Sequence, residues 1–311
     1  MIKVENLIYD YPGFRALHSI SCEVPAGTIT ALVGPNGAGK TTLMRCIAAL
    51  TSPLSGTISV NGIDVISQPR EGHRQIGYLS DFFGLYDRLT VYQSLHYFCL
   101  AQQMADAEID SRIRKVIEQL HLSEKLQERI GSLSRGMRQR VGIAQAMIHN
   151  PQCLILDEPA SGLDPEARYE LGELFLQLNK EGITLLVSSH ILAELDQYSN
   201  NLLIMRDGKI VDHDLLKQET KKSRRLRIQL LKPAEAVSHF LTSKTSVANI
   251  LKEGNELHFD FAGNETEQIS LLREMLQMNF EVAEFGEIKQ NLQDQYIKLV
   301  KGTKSETPSA N

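Results

Sequence analysis

The sequence predicts an α/β protein with a mainly parallel sheet core, followed by a smaller α+β domain. Three observations carry that expectation. The runs Thr28-Ile-Thr-Ala-Leu-Val-Gly, Cys153-Leu-Ile-Leu-Asp and Ile183-Thr-Leu-Leu-Val-Ser-Ser are of strand length and apolar without alternation. That pattern suits strands buried on both faces beneath helices. Between them, Ile113, Val116, Ile117 and Leu120 have the spacing of an amphipathic helix over 111–122. Near residue 217 the pattern gives way to Lys217-Gln-Glu-Thr-Lys-Lys-Ser-Arg-Arg-Leu-Arg, which is dominated by charge and reads as a linker.

In chain order, the first buried run ends in Gly34-Pro35-Asn36-Gly37-Ala38-Gly39-Lys40-Thr41-Thr42. This satisfies the phosphate-loop pattern GxxxxGK[ST] in the strand-to-helix context that the pattern requires. The glycines let the backbone curl so that successive N–H groups face phosphate oxygens, and the following helix adds its positive end. Lys40 is then expected to reach the β- and γ-phosphates, and the Thr41 hydroxyl to ligate Mg²⁺. The second buried run ends in Asp157-Glu158-Pro159. A carboxylate at the end of a buried strand beside a phosphate loop anchors the metal from its other side, which is the role expected of Asp157. Glu158 is placed to polarise an attacking water as general base.

Past the linker, strand-like pieces over 226–231, 246–251, 256–261 and 280–285 alternate with helical ones over 233–243 and 265–278. The expected organisation is a nucleotide-binding domain over 1–216, with a helical subdomain at about 85–150. A basic linker over 217–225, an accessory α+β domain over 226–302 and a disordered tail over 303–311 follow. The net charge of −5 and pI near 6.0 leave no electrostatic footprint for nucleic acid, which is not expected as a partner. No apolar run approaches the roughly 18–20 residues of a membrane-spanning helix. Cys22, Cys46, Cys99 and Cys153 are too scattered for a zinc cluster or a disulfide framework. The expected setting is the cytosol, and the start of the sequence lacks the layout of a secretory signal.

Two further motifs flank the carboxylates. Leu133-Ser134-Arg135-Gly136-Met137-Arg138-Gln139-Arg140 precedes them, and Ser161-Gly162-Leu163-Asp164 follows. With the phosphate loop and His190 at the end of the third buried run, residues 1–215 resemble the ATP-binding cassette (ABC) ATPases. The resemblance implies a P-loop cassette with N-terminal antiparallel strands and a helical subdomain, taking ATP and Mg²⁺. It implies that Tyr11 stacks on adenine, that Ser161–Asp164 is the D-loop and that His190 is the switch histidine. It further implies that two cassettes pair head to tail. Ser134 and the N–H groups after Gly136 of one would cap the nucleotide held by the other, so that ATP drives dimerisation and hydrolysis opens the dimer.

The sequence departs from the family pattern in two places. Ser80-Asp81 stands where the family has glutamine, and Asp81 is expected to touch Mg²⁺ or the attacking water. Arg135 and Met137 replace the commoner glycine and glutamine, and Arg135 would be strained if its position needs a positive φ. The region Phe82–Leu89 carries three aromatics, and the resemblance implies that it grips a polytopic membrane subunit encoded elsewhere.

The C-terminal module resembles the extension on ATP-binding subunits of bacterial exporters, including a closing helix at 291–299. An exporter ATPase at the inner face of the cell membrane is therefore the leading expectation. The alternative is a soluble cassette protein acting in translation or DNA maintenance. Against it, the chain has a single phosphate loop, and the 93 residues from Lys40 to Leu133 hold no heptad run or cysteine cluster.

Overall fold

The computed structural model describes residues 1–189, 191–211, 224–232 and 235–287. It divides into two compact units, Met1–Val211 and Asp212–Asn311. The expected tail at 303–311, the closing helix at 291–299 and most of the linker lie outside the described residues.

The first unit opens with a long hairpin, β1 (Ile2–Tyr11) and β2 (Phe14–Val24), which continues into a four-stranded antiparallel sheet of order β2-β1-β4-β5 with β4 (Ser55–Val60) and β5 (Ile63–Asp64). The second sheet has six strands. β3 (Ile29–Val33), β6 (Ile76–Leu79), β7 (Cys153–Leu156), β8 (Thr184–Ser189) and β9 (Asn201–Arg206) run parallel, and β10 (Lys209–Val211) closes one edge antiparallel to β9. Every residue of β3, β7 and β8 is buried, which is why these segments read as continuous rather than alternating hydrophobicity. α1 (Lys40–Ile47) follows β3. One apolar cluster unites Ile2, Leu7 and Leu17 of the first sheet with Leu43 and Met44 of α1 and Ile155, Leu186 and Met205 of the second. The phosphate loop is thus held between two sheets rather than on an exposed edge.

Short α2 (Pro69–Gln75) leads into β6. Three longer helices follow it: α3 (Val91–Ala101), α4 (Asp106–Gln119) and α5 (Arg135–Met147). Thr90 and Gln93 form a reciprocal capping box that starts α3. α4 begins five residues earlier than its apolar spacing predicts, because Asp106 and Glu108 occupy a first turn where the helix dipole favours negative charge. α6 (Pro165–Lys180) and α7 (Leu192–Tyr198) flank β8.

The second unit runs β11 (Arg224–Leu230), α8 (Glu235–Thr242), β12 (Val247–Glu253), β13 (Glu256–Phe261), α9 (Glu265–Gln277) and β14 (Val282–Glu287). This is a βαββαβ arrangement with antiparallel sheet order β12-β13-β11-β14, a split βαβ module. Its core, including Leu226, Ile228, Leu257, Phe259, Leu241 and Met275, comes from one sheet face and the two helices. The opposite face carries ion pairs such as Arg227 with Glu256 and Glu284.

Candidate functional site

The phosphate loop leaves β3 at Gly34, where a Cβ would collide with the Met205 carbonyl. It then takes left-handed conformations at Gly37 (φ +81) and Gly39 (φ +101) that other L-residues adopt only at a cost. Gly39 is the N-cap of α1, and no side chain bonds to the first turn. The leading N–H groups of that helix therefore lack a side-chain cap among the described residues, which is the usual layout of an anion site. Lys40 is 7% exposed, and its ammonium donates to the Gly34 carbonyl at 2.8 Å and the Pro35 carbonyl at 3.4 Å. It also lies 3.7 Å from Glu158 Oε1.

A cleft of about 420 Å³ opens over this loop, lined among others by Tyr11, Asn36, Lys40, Thr41, Asp81 and Glu158. Pro35 bonds through its carbonyl to Lys40 and to the Ala38 N–H, so it shapes the loop from beneath. Tyr11 stacks on Phe14 across the β1–β2 turn, with ring centres 5.3 Å apart, and its hydroxyl lies 3.3 Å from Thr42 Oγ1. Phe14 is 61% exposed and lines the same cleft, so the aromatic platform has two rings where the sequence reading found one. Its signal was Pro12-Gly13, a turn pair that folds residue 14 back onto residue 11.

Asp157 is 1% exposed at the end of β7. Its Oδ1 accepts from the Ser188 hydroxyl at 2.6 Å, and that hydroxyl oxygen also accepts the Glu158 N–H at 2.8 Å. Ser188 is thus a site residue that the sequence reading missed; two serines closing an otherwise apolar strand were the clue. Asp157 Oδ2 is buried with no hydrogen-bond partner among the described residues. Asp157 also lines a second cavity, shared with Thr41, Tyr78 and Asp81. Burial, reinforced by the charge of Asp157, pushes the Tyr78 hydroxyl up to about 12. Glu158 takes a left-handed φ of +48, a conformation uncommon for a non-glycine residue.

Ser134 is the N-cap of α5 and accepts the Met137 N–H at 3.3 Å, yet it does not line the cleft over the phosphate loop. Gly136 lies in the first turn of α5, where a Cβ would press on that of Ala167. The strain anticipated at Arg135 does not arise. Arg135 is the first helical residue of α5 and has no positive φ. His190 lies outside the described residues.

In the segment after β6, Phe83 packs where a Cβ on Gly142 would fall, whereas Phe82 is 93% exposed. Together with Leu79, Phe98 and Gln145 they line a groove of about 610 Å³ beside α3 and α5. No described helix is long and apolar enough to cross a membrane.

The two-sheet frame, the loop on α1 and the carboxylate pair at the end of β7 define a P-loop nucleoside triphosphatase of the cassette class. Residues 17–161 match the ABC transporter family. The ABC transporter ATP-binding protein YxlF of Bacillus subtilis is 33% identical over 301 residues, covering 96% of this chain and 99% of that protein. Nod factor export ATP-binding protein I of Rhizobium meliloti is 36% identical over 67% of this chain and 62% of its own. A solved ATP-binding subunit of an ABC transporter superposes with a TM-score of 0.61 at 30% identity, covering 71% of this chain and 93% of that one. The chain belongs to the ATP-binding proteins of ABC transporters. It is accordingly an ATPase and the nucleotide-binding subunit of a transporter, and these relatives lend the translation or DNA-maintenance alternative no support.

Proposed function

We propose that the chain powers an exporter as a head-to-tail homodimer, seated on a separate polytopic membrane subunit at the inner face of the membrane. The observation that carries this reading is the division of the site. The phosphate loop, Asp81 and Glu158 line one cleft, while Ser134 caps a helix that contributes nothing to it. A second copy would bring Ser134 and the N–H groups following Gly136 to the open side of the nucleotide, as a helix N-terminus does for any anion. The groove lined by Phe82–Gly84 of the Phe82–Leu89 region mixes aromatic rings with polar groups such as Gln102 and Gln145, and would take a short amphipathic helix of the membrane subunit. Export is favoured by the C-terminal module, whose βαββαβ arrangement resembles the extension on ATP-binding subunits of bacterial exporters.

Within the cleft, Gly34–Thr42 would wrap the phosphates, Tyr11 would stack on adenine, and Lys40 would exchange its carbonyl partners for the β- and γ-phosphates. The residues fit a hard divalent cation. Asp157 Oδ2 is a buried carboxylate oxygen with no hydrogen-bond partner among the described residues, and Thr41 and Asp81 add oxygen ligands around the cavity that Asp157 lines. Mg²⁺ held there would neutralise charge developing on the phosphates. Glu158 would accept the proton of the attacking water, and His190 would help hold the γ-phosphate.

Cysteines at Asn36 in one copy and at Ser134 in a differently tagged copy test the arrangement, with Cys46 replaced first. A short bis-thiol linker should join the tags when ATP is present and Glu158→Gln blocks hydrolysis. Linking that proceeds equally without ATP, or none in a preparation shown to contain ATP-bound dimers, would refute the head-to-tail reading.

A further inference from the structure

The arginine of the signature makes a contact inside its own chain. Arg135 Nη2 donates to the Ser161 carbonyl at 3.1 Å. Its guanidinium lies against Gly162, where φ is +67 and a Cβ would fall inside the guanidinium group. Ser161 in turn donates its N–H to the Glu158 carbonyl at 3.0 Å. A continuous path therefore runs from the first residue of α5, through one side chain and one hydrogen bond of the D-loop, to the backbone of Glu158. Helix stability does not account for this arginine, because a cation in the first turn opposes the helix dipole. Burial does not account for it either, since Arg135 is exposed.

We propose that Arg135 is a positioning residue, a strut that ties the nucleotide-capping end of α5 to the loop carrying Glu158 in the same protomer. The inference rests on the head-to-tail reading. In that arrangement Ser134 caps the partner's nucleotide while Glu158 serves its own, so a bond within one chain spans the two composite sites. Drawing the N-terminus of α5 onto one nucleotide then moves the D-loop beside the other. Glu158 sits in a sparsely populated backbone conformation that its surroundings must hold, so a shift of the Ser161 peptide is felt there. Lysine could replace the hydrogen bond but not the flat contact with Gly162, because it lacks the planar fork.

The strut is tested first in the nucleotide-free protein, where dimer geometry plays no part. Amide hydrogen exchange over residues 159–164 should quicken by about threefold or more in Arg135→Ala, with Arg135→Lys between it and the parent. Exchange equal to the parent's would overturn the contact. Its role is read from ATPase kinetics. The parent should show a Hill coefficient above 1. Arg135→Ala should lower kcat about three- to tenfold, leave KM within about twofold and bring the Hill coefficient towards 1. Gly162→Ala displaces the guanidinium, so combining it with Arg135→Ala should cost no more than the worse single change, because the two act through one contact. Additive losses, or faster exchange with unchanged kcat and Hill coefficient, would overturn the coupling. Failure of the Asn36–Ser134 cross-link would remove the cross-site role and leave the exchange result standing, so the two readings fail separately.

Discussion

The hydroxyl of Ser188 is shared between two groups with different tasks. It donates to Asp157 Oδ1 and accepts from the Glu158 N–H, so one side chain orders both the carboxylate proposed to face the metal and the peptide of the proposed general base. Ser188→Ala leaves a buried carboxylate oxygen and a backbone N–H without this partner. A loss of about 1–3 kcal/mol in urea unfolding is expected, together with reduced kcat, since unpaired buried polar groups carry their desolvation cost. Unchanged stability would show that water replaces the hydroxyl. Asp81 borders both the nucleotide cleft and the cavity at Asp157. Asp81→Gln, which restores the family's usual residue, should retain ATPase activity within about tenfold, or ~1.4 kcal/mol of barrier. Complete loss of turnover in a folded Asp81→Gln protein would mean that its charge has a specific acid–base or metal role. The phosphate loop, Asp157 and Glu158 were legible as residues because their chemistry demands those side chains in a fixed local order. Ser188 and Phe14 were not, because each acts on a partner brought to it by the fold.

Among the elements, buried strands were easiest to locate and their ends hardest. The run at 183–189 is a strand over Thr184–Ser189, one residue shorter at its start, because Ile183 still belongs to the turn after α6. In the second unit the last strand, expected at 280–285, lies at Val282–Glu287, since Phe280 bonds back to Met275 and closes α9. Register against neighbours decides such ends, and periodicity alone does not contain it. Close packing supplies an element-scale prediction. Gly77 of β6 passes so near α5 that a Cβ would strike the Ala146 carbonyl and Leu154. Gly77→Ala should therefore destabilise the first unit by about 1–3 kcal/mol in thermal or urea unfolding, as overpacking between backbones does. A neutral Gly77→Ala would mean that β6 and α5 can separate without loss.

Over the whole molecule, each unit has its own apolar core, one between two sheets and α1, the other beneath a four-stranded sheet. A ligand that binds only the folded first unit should stabilise that unit alone. In calorimetry of the Glu158→Gln protein, Mg-ATP at about 100 times its dissociation constant should stabilise the first unit by roughly 2.7 kcal/mol. The transition of the second unit should stay in place. Equal movement of both would show that nucleotide binding is coupled into the accessory module.

The amino-acid sequence by itself determined the family, the phosphate loop, the carboxylate pair and the presence of a second module. These are carried by local patterns: glycines that permit a left-handed loop, apolar runs that only a covered sheet can bury, and a break in hydrophobic spacing. Only the tertiary structure decided that Ser188 orders the carboxylates, that Phe14 joins Tyr11 and that Arg135 is bound to the D-loop. Residues 135 and 161 are separated by a whole helix and a strand, and nothing in their types says that they meet. Their contact exists because α5 packs over β6 and beside α6, and packing is set by the summed burial of many side chains rather than by any one motif.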